Sequence, residues 1–497
     1  MSKKNKDENY YIIELPLATE KYQEDIIDVR LECGRKIYNA LLNVVLKRYN
    51  EMKKTKVYRN LYKDLTGDST DDKVVWKQIE QMRKDYKLTE NDFKNDIQPM
   101  YKHFKKHLNS RICQEIAINV WKAISSLFYK GGKSVHFKRF GTFNTLSTNS
   151  TDTGILFNGI DTINWTKLTL KIKFPTSPKS KAYIEQNLFP NLNRLKFCKI
   201  VRKEIRGKYK YYVQLLFQGE SVKSRYPLGS SRVGIDIGTS TIAIVSDNNV
   251  CLCELAENVL QLEKEKKQIQ RKMDRSRRAN NPNKYNENGT FRQGDKTPWN
   301  NSKHYQVLQK QYKEICRKQV VMRRLQHGAL SNYMLSLGNE FYVEEMNFAG
   351  LVKRSKKPTE YKKDGKCKRK KRFGKSIGNR APSLLLTLLN NKLKYFHKIL
   401  HKINTQKCKA SQFNHITQTY TKKSLSQRWN YINNISVQRD LYSAFLISNV
   451  NESLDGFNID LCNSKYNNFL NLHNLKIQEL RQQKLLTNKK FLSCMGI

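Results

Sequence analysis

Residues 234–247 read GIDIGTSTIAIVSD: an apolar strand with one acid, Asp236, in its middle, then small hydroxyl residues, then a second apolar strand. A carboxylate among isoleucines is costly unless it is paired, hydrogen-bonded or set against a cation. By the two-residue period of a strand, Gly234 and Gly238 fall on the same side as Asp236. They leave room beside the carboxylate of the kind a metal and a phosphate need. The plainer reading is a buried Asp satisfied by neighbouring hydroxyls, and the motif alone leaves both open.

Two more segments supply partners. NEFYVEEMNFAGL (339–351) is an apolar strand running into Glu344 and Glu345, with Asn347 beyond; NISVQRDLYSAFLISNV (434–450) puts Asp440 at the start of an amphipathic helix with Leu441, Ala444, Phe445 and Val450 beneath it. Each acid alone reads as a surface or capping residue. A strand Asp, a strand-end Glu and a helix-start Asp together have the order and context of a ribonuclease-H-like nuclease site. Phosphodiester hydrolysis needs charge stabilised on the attacking and leaving oxygens, which two divalent ions about 4 Å apart can do when carboxylates hold them. Mg²⁺ suits an oxygen-only site of this kind.

The composition agrees with a polyanion partner. Over 497 residues, 93 Lys and Arg stand against 44 Asp and Glu, a formal net charge of +49. Phosphates paired with such cations release condensed counterions, and the many Tyr beside Lys or Arg suit stacking on exposed bases. No stretch approaches the roughly 18 apolar residues of a spanning helix, so a soluble chain of the prokaryotic cytosol with no membrane partner is expected. Ten Cys are scattered without any C-x-x-C, which argues against a disulfide framework or a standard zinc site.

Along the chain, residues 9–17 read as a strand, and apolar positions recur at helical spacing from Tyr22 to Met52; a further helix ends at Gly131 and Gly132. The pattern then changes to period two, with Leu168, Leu170, Ile172 and Phe174 in one strand and Tyr209, Tyr211, Val213, Leu215 and Phe217 in another, after a turn at Arg206 and Gly207. This predicts a small β-barrel that borrows the N-terminal strand. Two long antiparallel helices follow, carrying stripes at Leu255, Val259, Leu262, Ile269 and Met273 and at Tyr305, Leu308, Tyr312, Ile315, Met322 and Leu325. Their basic faces, 261–278 and 303–326, read as rails for a nucleic-acid backbone. The stretch Lys353 to Lys375 is too charged to pack and reads as a phosphate-contacting loop.

GIDIGTS also resembles the first phosphate loop of sugar kinases of the actin-like superfamily. That motif usually opens such chains and needs a second glycine-rich loop downstream, whereas here it follows about 230 residues of basic sequence and no later Gly-Gly occurs. The fuller resemblance is to the miniature type V-F CRISPR effector nucleases and their transposon-encoded TnpB relatives. GIDIGTSTIAIVSD resembles that family's first RuvC motif, YVEEMNFAGL its second, VQRDLYSAFLI its third, and YKGGKSVHFKRFGTFNTLS (129–147) the passage from recognition helices into the barrel. The third departs from the common D-R-D-x-N-A-A pattern at Gln438, Tyr442 and Ser443.

The resemblance implies an α/β multidomain fold: a RuvC, ribonuclease-H-like nuclease with an N-terminal wedge β-barrel and an inserted α-helical recognition domain. The expected boundaries are 1–20 for the first barrel strand, 21–130 for the recognition helices, 131–228 for the barrel, 229–405 for RuvC motifs I and II, 406–435 for a nucleic-acid-loading insert, and 436–497 for motif III and the tail. It makes Asp236, Glu344 and Asp440 the Mg²⁺ ligands and Arg428 a residue that positions the scissile phosphate. Family inserts carry a zinc ribbon; here Asn414, Thr417, Tyr431 and Asn434 fall where ligands would be, and Cys408 and His415 are too few for a tetrahedral site. No structural zinc is expected, with Trp429 a packing anchor instead. The implied partners are a guide RNA (crRNA with a structured trans-acting RNA), target double-stranded DNA next to a short flanking motif, and a second copy of the chain on one guide. Rival readings are a transposon-encoded nuclease and a guided repressor that does not cut.

Overall fold

The alternation near the N-terminus forms a strand, β1 (Tyr10–Ala18), in which Tyr11, Ile13, Leu15 and Leu17 are buried. The computed structural model describes residues 9–65, 71–129, 131–222, 227–292, 294–353, 373–424, 426–487 and 491–497. It divides the chain into two units, Met1–Ser224 and Arg225–Ile497, four residues ahead of the boundary expected at 228. Most of the basic stretch 353–375 lies outside the described residues. Among the described residues no helix is long and apolar enough to cross a membrane.

In the first unit β1 leads into α1 (Lys21–Lys54), α2 (Lys56–Lys63), α3 (Asp71–Asp85), α4 (Glu90–Asp96), α5 (Gln98–Phe104) and α6 (Ser110–Tyr129). Then come β2 (Thr145–Ser147), β3 (Ile155–Phe157), β4 (Thr162–Trp165), β5 (Thr169–Ile172), α7 (Pro178–Asn187), β6 (Leu195–Ile205) and β7 (Lys208–Gln218). The seven strands form one antiparallel sheet in the order β2-β6-β7-β1-β5-β4-β3. β1 is therefore central, paired with β7 and β5, so the N-terminal strand joins the later strands in one sheet. The ladder runs between two end strands, β2 and β3, and among the described residues no ladder joins them. Arg206 and Gly207 make the β6–β7 turn with positive φ of 52° and 73°, the backbone a tight hairpin needs.

Helices and sheet in this unit share one core, with Ile27, Leu31, Leu41 and Val45 of α1 and Ile116, Val120 and Ile124 of α6 joining Val213, Leu215 and Phe217 of β7. Arg30 ties α1 to the sheet, donating to Trp165 O at 2.7 Å and Thr166 O at 2.6 Å with its guanidinium over the Trp165 ring. Asp28 does the same from its own side, accepting from Arg202 and from the Tyr211 hydroxyl, each at 2.8 Å.

The second unit opens with β8 (Ser231–Ile237), β9 (Thr241–Val245) and β10 (Val250–Glu254), followed by α8 (Val259–Asn280), α9 (Lys303–Leu337), β11 (Gly338–Glu344), α10 (Phe348–Val352), α11 (Gly374–Arg380), α12 (Pro382–Lys394) and β12 (Leu400–Ile403). The sheet order is β10-β9-β8-β11-β12; β10, β9 and β8 are antiparallel, and β11 runs parallel to both β8 and β12. Beyond it lie α13 (Thr405–Cys408), two hairpins, β13 (Phe413–Asn414) with β14 (Thr419–Tyr420) and β15 (Trp429–Ile432) with β16 (Ile435–Gln438), then α14 (Arg439–Ser448) and α15 (Ile459–Thr487).

Both sheet faces are covered, which is why β8 and β9 read as near-continuous apolar runs. On one face Val233, Ile235, Phe341 and Val343 pack with Leu385, Leu389 and Leu393 of α12 and Met334 of α9. On the other, Ala243, Val245 and Tyr342 pack with Ala444 and Phe445 of α14 and Phe469 of α15. α8 and α9 run antiparallel, since Glu263 meets Gln319 while Gln270 meets Tyr312. The α9 stripe departs from expectation at one end: Leu325 is 64% exposed, and burial passes instead to Gln319, His327, Ser331 and Met334.

Candidate active site

The site is built by one face of the sheet. Asp236 lies on β8 in phase with Gly234, and the β8–β11 register pairs Tyr342 with Gly234 and Val343 with Ile235. Glu344 thus stands one step further along, beside Asp236, at the C-terminal ends of two parallel strands where such sheets open their ligand crevices. Paired residues of neighbouring strands share a face about 4.8 Å apart. Asp236 also faces Ala243 across β9, so no bulky side chain crowds it from that direction.

Gly234 brings in the third acid. A methyl group there would stand 2.0 Å from Ala444 O and 2.4 Å from Ser448 N, so only glycine lets the backbone of α14 lie against β8. Asp440 sits in the first turn of that helix, above Leu441, Ala444, Phe445 and Val450, all buried. Gln438, one of the three departures from the family pattern, caps the helix: its Oε1 accepts from Leu441 N at 2.7 Å and its Nε2 donates to Met495 O at 3.2 Å.

Asp236, Glu344, Asp440 and Arg428 line a single cavity of about 710 Å³. All four residues singled out from the sequence therefore meet. Glu345 does not: it is exposed and lines a separate cavity with Lys402 and Lys407. The basic faces of α8 and α9 contribute no lining residue. A larger cleft of about 880 Å³ lies in the first unit between β1 and α7, with Lys173, Lys179 and Tyr183 on its walls and Glu14 its one acid.

The electrostatics are those of crowded carboxylates. Burial, then the charges of Asp440 and Glu344, push the Asp236 carboxyl well above the usual range, against the opposing pull of Arg439. Burial also raises Glu344, offset by a backbone hydrogen bond from Ala410. An all-carboxylate donor set of this kind is what a hard divalent cation prefers. Among the described residues, however, no three His, Cys, Asp or Glu side chains are gathered closely enough to ligate one ion.

Arg439 is the residue sequence reasoning passed over. Its Nε and Nη2 donate to Asp440 Oδ1 at 3.3 and 3.2 Å, while Nη1 donates to Gln427 O at 3.0 Å and Ser424 O at 3.4 Å. It thus joins the helix acid to the backbone of the insert. Lys422 and Lys423 add two more cations to the same cavity. The visible signal was a Lys pair inside the insert and an Arg directly before Asp440. Ser376 of α11, also missed, donates to Thr239 O at 2.9 Å and shares a 2.7 Å bond with Ser240, fixing the hydroxyl loop after β8.

The insert is held by side chains. His415 packs against Tyr442, Phe445 and Tyr466, with its Nδ1 2.7 Å from the Tyr442 hydroxyl and its backbone N–H donating to the same oxygen at 3.1 Å. Burial lowers the His415 pKa to about 4. Asn414 caps its own turn, accepting from Ile416 N at 3.0 Å. Tyr431 points outward, 74% exposed. Trp429 donates from Nε1 to Gly496 O at 3.0 Å, and Gly496, with φ +72°, lies so close to Arg428 that a methyl group there would meet its Cβ at 2.7 Å.

No protein-family model matches the chain, and no curated protein matches it. Among solved structures it is similar to the protein of a cryo-EM structure of a Cas12f1–sgRNA–target DNA complex, with a TM-score of 0.41 and 11% identity over 90% of this chain and 99% of that one. It is also similar to the protein of a CRISPR–Cas12f ternary complex, with a TM-score of 0.25 and 11% identity over 87% of this chain and 82% of that one.

Proposed function

We propose that the chain is a CRISPR RNA-guided DNA endonuclease with one RuvC-type site. The observation that carries this is the meeting of Asp236, Glu344 and Asp440, from three segments spread over about 200 residues, in one cavity that Lys422, Lys423, Arg428 and Arg439 also line. Acids on the central strand, on its parallel neighbour and on a helix laid across both support the ribonuclease-H-like reading. Cations lining the same cavity suit a phosphodiester backbone.

In this reading Asp236, Glu344 and Asp440 hold Mg²⁺. Two such ions, when bound, supply stabilisation of charge on the attacking and leaving oxygens. The chain's own residues do the rest. Lys422, Lys423 and Arg428 seat the phosphate, Arg439 fixes the rotamer of Asp440 against the insert, and the small residues Gly238 and Ser240 leave room for the strand. The insert acts without zinc, its ligand positions being used for turns and surface. A structured guide RNA follows the basic faces 261–278 and 303–326 and the segment 353–375, and base pairing reads the target. The N-terminal helices and strands contact the short flanking motif, and two copies share one guide.

Two observations favour a second reading, a guided DNA-binding protein that does not cut: the three acids are not gathered to ligand spacing, and Asp440 is engaged by Arg439. The experiment is to purify the protein co-expressed with its flanking genomic DNA, sequence the bound RNA, and incubate the complex with matched plasmid and Mg²⁺. A discrete RNA with linearised plasmid is expected. A discrete RNA with tight binding and intact plasmid selects the second reading, and heterogeneous RNA removes guided action altogether.

A further inference from the structure

Among its described residues the connection at the tip of the α8–α9 hairpin, 281–302, contains neither a long helix nor a ladder, yet it is heavily cross-braced. Asn281 and Asn300 bond reciprocally, Asn281 Nδ2 to Asn300 O at 2.9 Å and Asn300 N to Asn281 Oδ1 at 2.8 Å. Lys284 is buried, donates to both Thr297 O and Thr297 Oγ1 at 2.7 Å, and pairs with Asp295 at 3.3 Å. Arg278 donates to Gly289 O at 3.0 Å, and Tyr285 bridges to Phe291. Ordering such a connection costs conformational entropy, and among its described residues no strand or extensive core is formed in exchange.

What the bracing holds in place is a set of rings. Phe291 and Trp299 stack at 5.7 Å with planes 21° apart, and Tyr285 closes on both edge-on. Arg277 lies over Trp299 at 5.0 Å and over Tyr305 at 5.1 Å, and Lys284 lies over Trp299 at 4.8 Å. Trp299 is thereby engaged by cations as well as by Phe291, while Phe291 is 45% exposed and Trp299 37%. The surroundings are strongly basic: residues 271–303 hold nine Lys and Arg against three Asp and Glu. Arg271, Lys272, Arg275, Arg292, Lys296 and Lys303 are all exposed.

We infer that this tip is a seat for an unpaired base of a structured RNA, the base stacking on Phe291 and the adjoining phosphates meeting Arg292 and Lys296. A rigid aromatic face ringed by cations fits this occupant because every base offers a π-face and every nucleotide a negative charge. A protein partner would instead be met by dense like-signed charge. If the RNA is the guide, the inference rests on the function proposed above, but the seat itself can be probed without a guide.

The test is binding of a twelve-nucleotide oligoadenylate to the full chain, read by quenching of tryptophan fluorescence, alongside affinity for the co-purified RNA. Phe291→Ala is expected to weaken both by about 5- to 150-fold, the range for loss of one stacked base, and Phe291→Tyr to restore them. Hydrogen exchange over 281–302 verifies that the tip keeps its fold in the Ala variant. If a discrete guide binds wild type and Phe291→Ala with equal affinity and footprint, the seat is wrong and the guided reading stands. If no discrete RNA co-purifies but oligoadenylate binding falls with Phe291→Ala, the seat stands and the guided reading fails. A shift of the RNA-free protein from dimer to monomer in Phe291→Ala, with RNA binding unchanged, would overturn the seat in favour of a contact between copies.

Discussion

Gly234 shows how a residue without a side chain can position a site. Its Cβ position is already taken by Ala444 O and Ser448 N, so Gly234→Ala must push α14, and Asp440 with it, off β8. The expected loss is about 3 kcal/mol or more of stability, the upper range for overpacking against backbone that cannot yield, measured by thermal or denaturant unfolding. Arg439 holds the same acid directly, donating to Asp440 Oδ1 and to the carbonyls of Ser424 and Gln427. Arg439→Gln is expected to slow cleavage about 10- to 100-fold, as removal of a ligand-orienting partner does, with Arg439→Lys recovering part of the rate and target binding unchanged.

At the scale of elements, the insert is joined to α14 through the His415–Tyr442 contact, and this makes its docking sensitive to acid. The folded His415 pKa is about 4 against an ordinary 6.5, so the unfolded chain takes up a proton first as pH falls. Stability contributed by the neutral ring is fully present above pH 6.5 and lost progressively toward pH 4, by roughly 3 kcal/mol at the acid end. The hydroxyls facing His415 do not titrate in this window, because burial pushes Tyr442 up and Tyr466 up to about 12. Unfolding followed from pH 7 to pH 4 should show this slope in wild type and a shallower one in His415→Phe. The contact also explains why the sequence conveyed only part of the site. An acid within an apolar strand, at a strand end or at a helix start is visible in the hydrophobic pattern, and the motif resemblance singled out Asp236, Glu344 and Asp440 among them. Arg439, Lys423 and the Gly496 contact depend on where an irregular insert and the chain's last residues settle, which no period encodes. Leu325 failed for a related reason: an apolar residue in phase with a stripe stays exposed once the partner helix no longer covers that turn. The ring cluster at 281–302 was hidden inside a polar, glycine-containing stretch because its order comes from side-chain bonds.

At the scale of the whole molecule, two units each close their own core and the charge of +49 is left for a partner to neutralise. Nucleic-acid affinity should therefore fall about 1,000-fold or more between 50 and 200 mM salt, as for proteins that neutralise several phosphates, and filter binding across that range checks it. A slope near zero would mean that the excess charge does not touch phosphate. The decisive experiment is cleavage of matched supercoiled plasmid by the RNA-loaded protein in Mg²⁺, comparing wild type with Asp236→Ala, Glu344→Ala and Asp440→Ala. Wild type is expected to linearise the plasmid, while each variant still binds RNA and target but leaves the plasmid intact. Cutting that survives loss of Asp236, or loss of RNA binding in all three variants, would contradict the proposed function.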